Sequence, residues 1–152
     1  MLNMNQEQLL AKAIKIASDE FECTLDKGGN PYILHCLAVM YGVQYLGSEV
    51  MIAAILHDLL EDCKDWNENR LKEEGFSDYS IQLIKLCTHQ KNEDYLTYIG
   101  RISTDKNAIE IKLSDLRHNM RPDRLIDLSD KSMERIKKYH TAYNFLLGKK
   151  EK

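Results

Sequence analysis

The chain has 152 residues, 43% hydrophobic and 30% charged, with a formal net charge of −3. That length fits one domain able to bury a core without disulfides or a structural metal. The slight acidic balance excludes a general nucleic-acid binder, which needs a basic surplus, but leaves room for a local basic patch that holds a phosphorylated ligand.

Seven glycines and two prolines suit a compact, helix-rich protein better than a disordered or fibrous one. No apolar run approaches the roughly 20 residues that span a bilayer. The N-terminus MLNMNQEQLL lacks the basic and then apolar pattern of a secretory leader, so a cytoplasmic location without a membrane partner is expected. Cys23, Cys36, Cys63 and Cys87 form no C-x-x-C pair and read as reduced, packed thiols. Nothing in the chain specifies an oligomeric state.

Leu9, Leu10, Ala13, Ile14, Ala17 and Phe21 recur at helical spacing and predict a first helix, while no segment alternates as a strand would; an all-α fold is expected. Asp26-Lys27-Gly28-Gly29-Asn30 ends that helix and Pro31 opens a second. Gly47-Ser48 breaks the second, and Ser48 is the candidate N-cap of a third running to about Asp62. Asp65 and Ser77 are candidate caps for helices over about 66–74 and about 78–89, followed by one near 93–102. Thr104 or Asp105 caps the next, which runs through Ile109, Ile111 and Leu113 to about Met120 before Pro122. A last helix over about 130–147 carries Met133, Ile136, Tyr143 and Leu147 on one stripe and stops at Gly148. The sum is a bundle of about eight helices in a single domain over 1–152, with no repeat or linker.

The segment Ile55-Leu56-His57-Asp58-Leu59-Leu60-Glu61-Asp62 sets one histidine and three carboxylates in an otherwise apolar run. Charged groups taken out of water cost several kcal/mol each unless a partner compensates them. His35, in Ile33-Leu34-His35-Cys36-Leu37, is a second histidine in apolar sequence, and Asp115 and Asn119 share one face of a later helix. Alone, His35 reads most simply as a hydrogen-bonded core residue. Together, His35, His57, Asp58 and Asp115 form a nitrogen and oxygen donor set suited to a divalent ion: octahedral Mn²⁺ or Fe²⁺ fits, and Zn²⁺ is compatible. Such an ion would lower the pKa of a bound water and polarise a phosphoryl oxygen. Glu61 and Asp62 would then orient that water and accept its proton. Asn119 either joins the site or bonds backbone near its helix end. His89, His118 and His140 read as surface or packing residues, and Arg135-Ile136-Lys137-Lys138 as a solvated helix face.

With those residues in view, the chain resembles the HD superfamily of metal-dependent phosphohydrolases, whose histidine, His-Asp pair and later aspartate are matched by His35, His57-Asp58 and Asp115. It is most similar to the hydrolase domain of RelA/SpoT proteins and the small alarmone hydrolases. Lys27-Gly28-Gly29-Asn30-Pro31-Tyr32-Ile33-Leu34-His35 matches the Lys-x-Gly-x-Pro-Tyr-x-x-His pattern of that family, with Ala13 and Ala17 matching the alanines before it. Ile55 to Asp62 matches the apolar-His-Asp-x-x-Glu-Asp block, and Lys112 to Met120 the late Lys-Leu-Ala-Asp-x-x-His-Asn-Met block. The resemblance covers roughly residues 9 to 147 and implies that the two histidines and two aspartates bind Mn²⁺. It further implies that Glu61 and Asp62 assist the attacking water and that Asn119 belongs to the substrate pocket. The reaction it implies is removal of the 3′-pyrophosphate from ppGpp and pppGpp, with no alarmone synthesis.

Several positions depart from the pattern. Asp26 stands where those hydrolases carry a basic residue, Phe21 and Cys23 where they carry histidine and glycine, and Cys36 where proline usually follows the first histidine. Leu116-Arg117 replaces their usual Arg-Leu, moving the guanidinium about 100° around the helix. The resulting expectation is hydrolysis of a nucleotide phosphate ester or pyrophosphate, with Lys27 and Arg117, and Lys112 and Arg121 as further candidates, offsetting phosphate charge. One rival is the same site acting on a nucleoside monophosphate or a dinucleotide cofactor. The other is a non-catalytic nucleotide-binding module, which would be expected to lose a metal ligand or the Glu-Asp pair; this chain keeps all six.

Overall fold

In the computed structural model, which describes residues 3–150, the chain forms α1 (Gln6–Glu20), α2 (Ile33–Tyr41), α3 (Ser48–Ile55), α4 (Leu59–Asp62) and α5 (Glu68–Glu73). There follow α6 (Asp78–Leu86), α7 (Tyr95–Ile102), α8 (Lys106–Asn119) and α9 (Asp130–Lys150). Among the described residues the only β-type pairing is an isolated bridge between Leu25 and Pro31, so the fold is all-α as expected.

Helix α3 organises the core. Six consecutive residues, Val50 to Ile55, are buried, the signature of a helix enclosed on every side. Helices α1, α2, α6 and α8 pack around it, and α9 closes over α8. Leu9, Ala13 and Ala17 face inward from α1, and the small alanines let it approach α3 closely. Gly42 does the same after α2: a Cβ there would lie 2.0 Å from Ser114 Oγ on α8. The α2–α8 contact thus brings His35 and Asp115 to one place.

Two helix starts carry the capping residues read from the sequence. Ser77 caps α6, and Asp105 rather than Thr104 caps α8 by accepting from Asn107 N and Ala108 N. Others differ. Asn67, not Asp65, caps α5, accepting from Arg70 N at 2.9 Å. Gly47, at φ +91°, holds the position before α3, making Ser48 its first residue rather than its cap. Helix α2 starts at Ile33 instead of Pro31, because Pro31 is held in the bridge to Leu25 and Tyr32 N donates to Thr24 O at 2.9 Å.

Two further differences have structural reasons. The single helix expected from Ser48 to Asp62 is broken at Leu56-His57-Asp58, where bonding tightens to three-residue spacing: His57 N reaches Ala54 O at 3.3 Å and Leu59 N reaches Leu56 O at 3.0 Å. Helix α9 runs through Gly148 to Lys150, and the residues it buries are Ser132, Ala142 and Leu146. Met133 is exposed, and Ile136, Tyr143 and Leu147 are half-buried, so the buried stripe is rotated by about one residue from the expected one. No helix among the described residues is long and apolar enough to cross a membrane. Cys36 and Cys87 are buried, Cys63 is half-buried and Cys23 is exposed, and all four are free thiols; exposure of Cys23 departs from the packed role expected of it.

Candidate metal centre and its cleft

His57 sits in the break between α3 and α4, and that local turn fixes its ring. Its Nδ1 donates to the Ala54 carbonyl at 2.7 Å, so Nε2 is the nitrogen left to take a proton or a metal ion. Nε2 is fully buried and has no hydrogen-bond partner, although Asp58 Oδ2 lies 2.9 Å away and Asp115 Oδ1 3.4 Å away. Buried polar atoms are rarely left so. A ring nitrogen facing two carboxylates calls for a cation, a proton in the bare cluster or a metal ion in its place.

The other donors converge there. His35 Nε2, on the first turn of α2, lies 2.9 Å from Asp115 Oδ1 on α8. His35, His57 and Asp58 each offer a ligand atom within 4.8 Å of the others, and Asp115 meets the group through both imidazoles. Tyr32 donates its hydroxyl to Asp58 Oδ2, and Lys112 donates to Asp115 Oδ2 at 2.8 Å, so both carboxylates are oriented from outside the cluster. Burial opposes charge on Asp115, yet Lys112 and the two imidazoles hold its carboxyl well below the usual carboxylate range. Burial likewise opposes charge on His57, and Asp58 and Asp115 outweigh it, raising the imidazole well above the ordinary histidine range. The donor set, the orphaned nitrogen and the excess of carboxylate all fit a divalent metal ion.

A cleft of two lobes adjoins this cluster, with Tyr32, Asn119 and Tyr139 on the wall between them. The smaller lobe, about 200 Å³, is lined by His35, Asp58, Glu61, Lys112 and Asp115. The larger, about 540 Å³, is lined by apolar Phe21, Leu25, Leu125 and Ile126 and by polar Lys27 and Arg124. Glu61 and Asp62 part company: Glu61 lies in the smaller lobe and accepts from His89 N, while Asp62 faces the larger. Burial raises the pKa of both, and the neighbouring Asp58 adds to it.

The expected substrate contacts divide. Lys27 lines the larger lobe, and burial together with Arg135, Lys131 and Lys138 lowers its pKa. Lys112 lines the smaller lobe. Asn119 lies between, donating to Asp115 Oδ1 at 3.1 Å and accepting from Arg124 Nη1 at 3.0 Å, rather than bonding backbone. Arg117 and Arg121 line neither lobe. Arg117 is exposed beside Tyr45 and Glu110, and Arg121 pairs with Asp123 at 2.6 Å. The rotation of α8 that buries Asp115 carries Arg117, two residues on, to the far side.

Other residues take those places. Arg135 and Ile136 line the larger lobe and Lys138 the smaller, with its Nζ 4.3 Å from the Tyr95 ring centroid, so three of the four residues read as a solvated face look into the cleft. Arg124 reaches Asp26 Oδ2 at 3.2 Å, and Asp26 Oδ1 accepts from Gly28 N and Asn30 N at 2.9 Å. The carboxylate that would have repelled phosphate is therefore neutralised and spent on shaping its loop. His89 lines the smaller lobe with its ring stacked on Tyr98, and His118 lies against His35. Tyr32 stands in the quoted motif and was legible there; Arg124, at the end of a single 3₁₀ turn over Pro122–Arg124 that no pattern marks, was not.

A segment of the Haemophilus influenzae protein named guanosine-3′,5′-bis(diphosphate) 3′-pyrophosphohydrolase is 33% identical over 118 aligned positions, covering 70% of this chain and 17% of that protein. The bifunctional (p)ppGpp synthase/hydrolase SpoT of Escherichia coli is 31% identical over 128 positions, covering 77% of this chain and 18% of its own length. The chain is a homologue of the RelA/SpoT-type hydrolase domain. A probable GTP pyrophosphokinase of Mycobacterium leprae is also similar, 29% identical over 129 positions, 78% of this chain and 16% of that protein. This RelA/SpoT homologue spans less than a fifth of the length of these relatives. No family model matches it.

Proposed function

We propose that the chain is a metal-dependent phosphohydrolase that removes the 3′-pyrophosphate of ppGpp or pppGpp. The observation that carries this reading is the buried, unpartnered Nε2 of His57 facing Asp58 and Asp115 beside His35. His35, His57, Asp58 and Asp115 would hold a divalent ion, Mn²⁺ for preference. Bound there, the ion supplies Lewis acidity that polarises phosphoryl oxygen and acidifies water.

The chain's own residues do the rest. Glu61, whose pKa burial raises, accepts the proton of the attacking water in the smaller lobe. Water adds to the phosphorus on the ribose 3′ oxygen, and that oxygen leaves with the bonding electrons. Lys112 keeps the Asp115 carboxylate charged and oriented. The larger lobe has the volume and apolar wall to take a nucleoside, and Lys27 and Arg135 offset its remaining phosphates. The lack of a basic residue at position 26, where Asp26 is taken up by Arg124 and its own loop, supports a second reading in which the same centre serves another nucleotide.

The test is pyrophosphate release from ppGpp with Mn²⁺, by the wild type and by a His57→Ala, Asp58→Ala variant. Release by the wild type alone is expected. Equal release by both would dismiss the site, and turnover of other nucleotides but not ppGpp would favour the second reading.

A further inference from the structure

The two histidines of the cluster are backed in different ways. His57 Nδ1 meets a carbonyl, which can only accept, so that ring has one permitted tautomer. His35 Nδ1 instead lies 2.7 Å from His118 Nδ1, and an imidazole nitrogen can either donate or accept. Two nitrogens at that distance share one proton. If His118 supplies it, His35 must carry its own proton on Nε2 and donate it to Asp115 Oδ1, 2.9 Å away. If His35 supplies it, Nε2 is left with a lone pair. Only the second arrangement allows His35 to bind a cation.

The surroundings limit the alternatives. Arg124 Nη1 is the other donor near His35 Nδ1, at 3.5 Å, but its two N–H groups are taken by the His118 carbonyl at 3.2 Å and Asn119 Oδ1 at 3.0 Å. The guanidinium is anchored at its far end on Asp26. His118 is thus left as the partner of His35 Nδ1. It is three residues beyond Asp115 on α8, so one helical turn presents a carboxylate to one nitrogen of His35 and an imidazole to the other. The two rings lie 4.9 Å apart between centroids and 27° from parallel, which fixes the His35 ring plane.

We infer that His118 is a positioning residue for His35: it accepts the Nδ1 proton and so selects the tautomer whose Nε2 faces Asp115 as a free lone pair. This rests on the reading of the cluster as a cation site. The half-buried His118 keeps its own proton on Nε2, within reach of water.

The test compares wild type with His118→Phe, which keeps a packed ring and removes the acceptor, and His118→Gln, which restores an acceptor oxygen. Mn²⁺ affinity is measured by competition with a chelator, and melting of the metal-free proteins by circular dichroism. Long-range ¹H–¹⁵N spectra of the Zn²⁺-loaded wild type read the His35 tautomer without any substitution. His118→Phe should bind Mn²⁺ about 10- to 100-fold more weakly, with most of the loss recovered in His118→Gln and similar melting in all three. The His35 proton should be on Nδ1. Unchanged affinity in His118→Phe, equal weakness in both variants, or a His35 proton on Nε2 would overturn the inference while leaving the cation site standing. No Mn²⁺ binding by the wild type would overturn both.

Discussion

The carboxylate of Asp26 and the guanidinium of Arg124 meet at 3.2 Å in the wall of the larger lobe, joining the loop after α1 to the segment after α8. These two stretches are 98 residues apart in sequence and both border the substrate cleft. Asp26→Ala removes this pair and the two backbone hydrogen bonds of the Asp26 loop, and should cost about 2 kcal/mol. Urea titration reads this as a lower midpoint at unchanged slope, and an unmoved midpoint would show that the pair is incidental.

Lys112 is the largely buried counterion of the buried Asp115, and removing it leaves an uncompensated buried charge. Lys112→Met should destabilise the metal-free protein by about 3–5 kcal/mol. Added Mn²⁺ should then raise its melting temperature more than it raises that of the wild type. Equal metal-induced shifts would mean that Lys112 does not balance the site.

Glu61 and Asp62 lie in different lobes, so their substitutions should differ in kind. Glu61→Gln, in the lobe beside the cluster, should lower kcat by about 10²- to 10⁴-fold with little change in KM. Asp62→Asn, facing the larger lobe, should act mainly on KM. Steady-state kinetics on ppGpp separates them, and identical kcat losses would return both to one role.

Glu93 is held down to about 2 by its hydrogen bond with Arg101, which lies 2.6 Å away and also donates to Thr88 O at 2.9 Å. Because its folded pKa is below its unfolded value, the interaction stabilises fully above the unfolded pKa and is lost as pH falls toward 2. Glu93→Gln should melt below the wild type at pH 6, with the gap closing as pH falls from about 4.5. A gap independent of pH would assign the effect to packing.

Gly42 sets the approach of α2 to α8. Gly42→Ala would drive a methyl group to 2.0 Å from Ser114 Oγ, costing about 1–3 kcal/mol and moving His35 relative to Asp115. Pairing it with Ser114→Ala should recover part of the loss. A variant as stable as wild type, with the same Mn²⁺ affinity, would contradict this.

The residues that chemistry makes incompatible with burial were the most legible part of the sequence. His35, His57, Asp58 and Asp115 stand out because apolar neighbours predict a core that their side chains cannot enter unpaired, and the fold does bring them together. Caps such as Ser77 and Asp105 were legible for a similar local reason. The break after Ile55 was hidden, because Leu56 and Leu59 continue the helical apolar pattern through it. The cleft cations were hidden too. Arg117 and Arg135 are both basic residues on amphipathic helices, and only the rotation set by Asp115, Ala142 and Leu146 packing turns one outward and the other into the cleft.

The most direct measurement is anomalous diffraction at the manganese edge from crystals of the wild type grown with Mn²⁺. The account predicts one peak bounded by His35 Nε2, His57 Nε2 and the carboxylates of Asp58 and Asp115. A crystal of protein active on ppGpp with its manganese bound elsewhere would contradict it.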